Sequence, residues 1–109
     1  MEAEALKGHL DGLLLAVLAD EPAHGYAVIR GLDAKSNGAF SLTEGTVYPA
    51  LHRLEKRGLL RSKWSSEAGR RRRVYALTGR GDRAVAEARG EWEAFSAAIN
   101  KVWSTACAT

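Results

Sequence analysis

Hydrophobic residues recur at spacings of three and four along four segments of the chain, and this period is typical of amphipathic helices. The first segment ends before Pro22, while Gly38 and Gly58 follow the second and third segments, where proline and glycine terminate helices. The pattern therefore predicts helices over Glu4–Asp20, His24–Lys35, Thr43–Arg57 and from Thr78 to about Cys107.

Shorter stretches with aromatic and β-branched residues lie between these helices and indicate strands. Leu59–Ser65 and Arg71–Thr78 flank the turn-forming residues Ser66–Gly69, so they are expected to pair as a hairpin, and Phe40–Leu42 is compatible with a brief strand. The expected order is then helix, helix, short strand, helix and hairpin. It indicates a mainly α fold with a small β-hairpin, the winged helix-turn-helix, whose third helix enters the DNA major groove while the hairpin forms the wing.

The third helix has an apolar inner face and an uncertain start. Thr43 is a good N-cap with Glu44 in the first turn, but Ser41 with Glu44 also fits a capping box. Pro49 lies about one turn inside, where it removes a backbone donor and tends to bend the helix. The residues expected to point inward are Val47, Leu51 and Leu54.

The last helix has the most regular pattern, an apolar seam with spacings that alternate between three and four as in coiled coils. Its members are Val85, Ala88, Trp92, Phe95, Ile99, Val102 and Ala106. A seam this long favours a homodimer, while packing on the first helix alone is the alternative, and the two are compatible. The expected dimer contacts are Leu6, Leu10 and Leu13 with Val85, Ala88, Trp92, Phe95, Ile99 and Val102. The chain is thus divided into a winged helix-turn-helix domain, 1–78, and a dimerisation helix, 79–109.

Composition excludes several classes of protein. Of the 109 residues, 46% are hydrophobic and 27% are charged, which is ordinary for a folded domain and unlike a disordered chain. The single cysteine cannot form an internal disulfide, and no Cys/His cluster has zinc-ligand spacing, so neither a metal nor another cofactor is expected. The N-terminus lacks a secretion signal, and the longest apolar run, Leu13–Ala19, is too short to span a membrane, which indicates the cytoplasm. No nucleophile–base set suggests an enzyme.

Charge is concentrated on the two elements that should touch DNA. Residues 56–73 contain eight basic residues and one acidic residue, a net +7, so the rest of the +3 chain carries −4. Such a patch is typical of proteins that bind polyanions, although a solvated basic surface is the alternative. The residues expected to contact DNA are Thr43, Thr46, Tyr48, His52, Arg53, Lys56, Arg70, Arg71, Arg72 and Arg73. Tyr48 is equally compatible with a place in the core.

Several runs of the sequence resemble the PadR family of bacterial transcription regulators. They are His24-Gly25-Tyr26, the run Gly45–Leu60 with its Tyr48-Pro49 pair, Trp64, and the run Arg71–Thr78. The resemblance extends from about Leu6 to Val102. The chain looks like the short subfamily, in which a single C-terminal helix forms the dimer.

The resemblance implies a homodimer that represses genes from a palindromic site on double-stranded DNA and is released by a small molecule. In some short members flat aromatic compounds bind at the dimer interface against a tryptophan whose position matches Trp92. The ligand residues implied here are Gly12, Ala16, Trp92 and Ser96. Those members have larger side chains where this sequence has Gly8, Gly12 and Ala16, so the shape of a pocket differs. Trp92 as simple interface core is the alternative.

Two other functions are compatible with the same fold. A winged helix can bind protein instead of DNA, but it would not need the arginine-rich hairpin together with the cations of the third helix. A nucleic-acid binder without sequence preference would share the phosphate contacts of a repressor, so salt dependence alone does not separate the two.

Overall fold

The computed structural model describes residues 3–67 and 69–107. A short 3-10 helix, Ala3–Leu6, precedes the other elements of this part of the chain. These are α1 (Leu10–Asp20), β1 (Ala23–His24), α2 (Gly25–Lys35), α3 (Glu44–Lys56), β2 (Leu60–Glu67), β3 (Arg70–Leu77) and α4 (Gly79–Cys107). The mainly α fold with a β-hairpin after the third helix confirms the expected winged helix-turn-helix.

A small antiparallel sheet is completed by a strand that the sequence did not indicate. The strand order is β1-β3-β2, with Ala23 opposite Tyr75 and His24 opposite Val74. The strand expected at Phe40–Leu42 is wrong, since these residues are extended chain without a pairing partner in the described sheet. Their apolar side chains pack on the core instead, which accounts for the hydrophobic pattern. A strand of two residues, such as β1, is too short to show a period.

The core lies between α1, α2, α3 and the inner face of the sheet. The three residues expected on the inner face of α3 are each 0% exposed. The most deeply buried large side chains of the described chain are Leu14, Val28, Val47, Leu51, Leu54 and Tyr75. Burial raises the pKa of the Tyr75 phenol above its ordinary value, so this residue stays neutral at physiological pH.

The first helix is shorter than predicted. Gly8 has φ of +87° and lies in a turn, so the α-helical part begins only at Leu10. Gly12 and Ala16 therefore lie on α1, whereas Gly8 precedes this helix. Gly12 lies against α4, because a Cβ added there would be 3.2 Å from Cβ of Ala88. Leu6 still reaches the core and is only 4% exposed.

The third helix begins at Glu44 with Thr43 in the N-cap position, but no side chain caps it. The Thr43 hydroxyl lies 3.2 Å from that of Thr46, and the Ser41 hydroxyl donates to Oδ1 of Asp33 at 2.6 Å. The predicted capping box is therefore wrong. The helix continues through Pro49 to Lys56.

The junction between the hairpin and α4 is closely packed. Thr78 accepts a hydrogen bond from the backbone N–H of Gly81 at 3.1 Å, so it caps α4, and it donates to the carbonyl of Gly58 at 2.7 Å. A Cβ at Gly81 would overlap the carbonyl oxygen of Leu59. The molecule extends over 62 × 28 × 20 Å. None of the helices in the described part is long and apolar enough to cross a membrane.

Candidate nucleic-acid interface

One face of α3 is free for a partner. The buried residues of α3 lie on one side, and Gly45, Pro49, His52 and Lys56, spaced four, three and four apart, lie on the opposite side. All four are exposed, and we call them the outer ridge of α3. Gly45 and Pro49 present no polar side-chain group, whereas His52 and Lys56 do. The ridge therefore allows close approach at its N-terminal half and offers hydrogen-bond donors at its C-terminal half.

The two threonines predicted to bind DNA lie together at the N-terminus of α3. Their hydroxyl oxygens are 3.2 Å apart, with Thr43 exposed and Thr46 half-buried. The N-terminus of a helix carries partial positive charge and free N–H groups, which favours anionic ligands. These hydroxyls lie where a groove or a phosphate would meet the helix.

Tyr48 lies between two helices and not on the outer ridge. It is half-buried, and a Cβ added to Gly25 would lie 2.5 Å from its Cε1 atom. The ring therefore packs directly over the first residue of α2, and only glycine at position 25 leaves room for it. The structure thus favours the alternative in which Tyr48 holds α2 and α3 together.

Arg53 has a partner within the chain. Its Nη2 atom lies 2.6 Å from Oδ1 of Asp11 on α1, and Arg57 Nη1 lies 3.4 Å from Oδ2 of the same carboxylate. The Arg53 side chain is 53% exposed, and exposed ion pairs contribute at most about 1 kcal/mol. Arg53 is therefore turned toward α1, on the flank of the outer ridge.

The hairpin β2–β3, which we call the wing, divides its arginines between two faces. Arg71 and Arg73 share a face with Trp64, which pairs in register with Arg73. Their guanidinium carbons lie 4.7 and 5.6 Å from the centre of the Trp64 ring. Trp64 is 56% exposed. Trp64 was not among the residues predicted to contact DNA, although an aromatic residue inside a basic segment is a usable signal.

Arg73 is also tied to α3. It donates to the Ser62 hydroxyl at 2.7 Å, Ser62 donates to Oε2 of Glu55 at 2.6 Å, and Arg73 Nη2 lies 3.7 Å from Oε1 of Glu55. This network sets the wing against the C-terminal half of α3. Arg73 therefore has a positioning role, while among the described residues Arg70, Arg71 and Arg72 have no carboxylate partner.

Arg72, on the other face, contacts His24. Its Nη1 atom lies 2.7 Å from Nε2 of His24, whose Nδ1 accepts from the backbone N–H of Ala27 at 3.3 Å and so caps α2. Burial, and then the positive charge of Arg72, lower the pKa of His24 against a weaker opposing effect of Glu67. His24 is therefore neutral at physiological pH.

The predicted apolar seam of α4 divides into two parts. Its first part packs within the chain, because Val85 contacts the core and Ala88 faces Gly12. Its second part is exposed, and we call it the α4 stripe. The exposed fractions are 51% for Trp92, 53% for Phe95, 36% for Ile99, 71% for Val102 and 65% for the adjacent Trp103. Trp103 was not among the predicted residues because it lies outside the seam spacing.

The residues expected to hold an aromatic ligand lie on both α1 and α4. Trp92 makes an edge contact with His9, with ring centres 5.4 Å apart, and lies 6.0 Å from Phe95. Ser96 donates to the carbonyl of Glu93 at 3.3 Å, and Ala16 is exposed. Gly12 is half-buried under Ala88. Trp92 thus lies close to the start of α1 and is still 51% exposed.

Comparison with known proteins gives consistent matches. Residues 14–87 match the model of the transcriptional regulator PadR-like family. The chain is 42% identical over 71 residues, 65% of its length and 64% of the other protein, to the transcriptional regulator Rv3488 of Mycobacterium tuberculosis.

Solved structures agree over most of the chain. A transcriptional regulator from Clostridium thermocellum has a TM-score of 0.82 at 29% identity, covering 91% of this chain and 97% of that one. A PadR family regulator from Eggerthella lenta has a TM-score of 0.78 at 31% identity, covering 94% and 88%.

Proposed function

The chain belongs to the PadR-like family of transcriptional regulators, and on this premise we propose that it is a homodimeric, sequence-specific DNA-binding repressor. The observation that carries the proposal is that the exposed outer ridge of α3 lies beside the wing, which the Glu55–Ser62–Arg73 network holds in place. Three arginines of this wing, Arg70, Arg71 and Arg72, have no carboxylate partner in the described part of the chain. A DNA target implies the cytoplasm as its compartment.

In this proposal α3 enters the major groove and the wing lies along the phosphates. The B-DNA major groove is about 12 Å wide, which admits a helix. Thr43, Thr46 and His52 are then placed to reach base edges, while Lys56 contacts phosphate. Arg70, Arg71 and Arg72 add contacts that strengthen binding without reading sequence.

The dimer is proposed to form through the α4 stripe. Large exposed apolar patches mark sites of protein interaction, and a two-fold axis is the simplest way to cover the same surface on two identical chains. Residues 79–109 then serve as the dimerisation helix and residues 1–78 as the DNA-binding domain. Two copies at a fixed separation match a palindromic site, whose half-sites lie about one helical turn apart in such complexes.

We further propose that a planar aromatic compound releases the DNA by stacking on Trp92 between the two subunits. The support is the exposure of Trp92, which lies against His9 just before α1 and next to Phe95 in the stripe. A ligand inserted there would change the separation of the two DNA-binding domains. Gly12, Ala16 and Ser96 are the nearby residues assigned to this site.

The proposal is tested by selecting bound fragments from a genomic pool and then comparing the recovered site with random duplex of equal length at one salt concentration. We expect a palindromic site and affinity at least about 1,000-fold above random DNA, which is the lower range for specific regulators. Equal affinity for both duplexes would establish a nonspecific binder. No binding to either would favour a protein-interaction module.

The effector site is tested with a Trp64→Phe/Trp103→Phe variant, in which Trp92 is the remaining tryptophan. Planar aromatic compounds should quench its fluorescence and lower the affinity for the selected site. Quenching without a change in DNA affinity would leave a binding site with no regulatory role and contradict release by ligand.

A further inference from the structure

A basic cleft of about 420 Å³ opens between α2 and the wing. We call it the α2–wing cleft, and its lining residues are His24, Tyr26, Ala27, Arg30, Gly31 and Arg72. No aspartate or glutamate lines it. Neither Arg30 nor Arg72 has a carboxylate within 4.0 Å in the described part of the chain. Arg30 lies over the Tyr26 ring, 5.9 Å from its centre, so two guanidinium groups line the cleft without a carboxylate among its described lining residues.

The His24 imidazole lies against two hydrogen-bond donors, the backbone N–H of Ala27 and the Arg72 guanidinium. Nδ1 accepts from the backbone N–H of Ala27, and Nε2 lies 2.7 Å from a guanidinium nitrogen of Arg72, which can only donate. A neutral imidazole has one acceptor nitrogen and one N–H, so it cannot accept both bonds. If Nδ1 caps α2, then Nε2–H faces another donor. In that tautomer the imidazole and the Arg72 guanidinium do not satisfy each other.

We propose that the α2–wing cleft binds a phosphate of the DNA backbone, which accepts hydrogen bonds from Arg72, from Arg30 and from Nε2–H of His24. The inference rests on the proposed function and extends it to residues outside α3 and the wing. One oxyanion would satisfy both nitrogens of the neutral His24 ring and the Arg72 guanidinium. Nδ1 keeps its bond from Ala27, while Nε2–H and the guanidinium both donate to phosphate oxygens. Arg72 needs only a rotation of its flexible side chain.

The position of the cleft favours the DNA backbone as the source of this phosphate. α2 is the first helix of the helix-turn-helix, and in such proteins the first helix crosses the backbone while the second enters the groove. Arg72 also lies on the same strand as Arg70 and Arg71. A backbone phosphate reaching the cleft would therefore belong to the same duplex that the wing contacts.

Bound phosphate also changes the proton balance of His24. In the free chain the imidazole faces Arg72 and Glu67 of the wing and Arg30 and Tyr26 of α2, and its pKa is lowered by burial and by Arg72. An adjacent phosphate stabilises the imidazolium, in which Nδ1 also carries a proton and gives up the bond from Ala27. Duplex binding should then raise the pKa of His24, so affinity should increase as the pH falls through the range near 6.5.

The first test measures the His24 imidazole ¹⁵N shifts by NMR across a pH titration of the full chain, free, with the selected duplex, and with inorganic phosphate. We expect an Nε2–H tautomer with an unprotonated Nδ1 and a raised pKa in the duplex complex. A duplex complex with unchanged His24 shifts would overturn the inference and leave the proposed function intact. A response to inorganic phosphate with none to duplex would replace the DNA backbone with a free anion as ligand.

The second test uses Arg30→Gln and Arg72→Gln, with Arg89→Gln as a control that removes the same charge from the surface of α4. Each cleft variant should flatten the slope of log affinity against log salt by about 0.9, and the control should not. His24→Asn keeps a good N-cap but should abolish the pH dependence of affinity. If both cleft variants kept the salt slope of the control variant, the inference would be overturned. If the unmodified protein did not bind DNA at all, the proposed function itself would be overturned.

Discussion

The wing and the α4 stripe both expose large side chains, but those of the wing are mostly charged and those of the stripe are mostly apolar. The arginines of the wing remain hydrated, and two of them already rest on Trp64. The stripe exposes tryptophan and phenylalanine side chains by more than half, and these side chains are mostly apolar. A charged surface of this kind is compatible with a free chain, whereas an exposed apolar stripe marks a site of protein interaction, which we propose to be the dimer contact.

This difference separates two kinds of dependence on conditions. Contacts between cations and phosphate release counterions and weaken steeply with salt, while burial of apolar surface is almost insensitive to moderate salt. DNA binding by this protein should respond to ionic strength through residues 70–72 and Lys56. Its assembly should not.

The largest effect is expected from charge placed in the stripe. Phe95→Glu/Ile99→Glu removes two side chains that each contribute about 1.5–3 kcal/mol when fully buried, so the dimer dissociation constant should rise more than about 100-fold. Sedimentation velocity at low and high salt measures it. Ala94→Glu/Ala97→Glu adds the same charge on the exposed outer side of α4 and should leave the dimer intact. A dimer retained in the stripe variant would show that another surface holds it.

The second largest effect is expected in the salt dependence of DNA binding, when the arginines of the wing are removed. Replacing Arg70–Arg73 with alanine should flatten the salt slope of DNA binding by about 2.7, which is three phosphate contacts at about 0.9 each. The expected loss corresponds to three contacts and not four, because Arg73 is engaged with Ser62 and Glu55. The slope is obtained from titrations at several salt concentrations. An unchanged slope would exclude the wing from the interface.

A matched pair of variants separates the two roles within the wing. Arg73→Gln breaks a hydrogen bond that joins the wing to α3 and should lower the free energy of unfolding by about 0.5–1.5 kcal/mol. Arg71→Gln, on the same face, should change stability less and the salt slope more. Thermal unfolding and salt titrations measure both quantities. Equal effects on stability would mean that the Glu55–Ser62–Arg73 network does not position the wing.

Hydrophobic periodicity predicted the four helices, apart from the start of the first, but it did not predict which charged groups pair. The inner face of α3 follows from the spacing of Val47, Leu51 and Leu54 alone, because burial of one face imposes that spacing. Arg53 could not be assigned to Asp11 in the same way, since 42 residues separate them and only the packing of α1 on α3 brings them together. The same limit applies to the contact of His24 with Arg72, which depends on a two-residue strand.

The smallest effect is the pH dependence of folding stability, which tests the protonation of His24 in the α2–wing cleft. The pKa of His24 is lowered in the folded chain, so the unfolded state takes up the proton first as the pH falls. Stability should therefore be constant above about pH 7 and decrease as the pH falls through the unfolded value near 6.5. Thermal unfolding at several pH values measures this. His24→Asn should remove the decrease while His52→Asn retains it. Lowering the pH should thus decrease the free energy of unfolding of the free chain but increase its affinity for DNA. If both quantities decreased at low pH, phosphate would not reach His24.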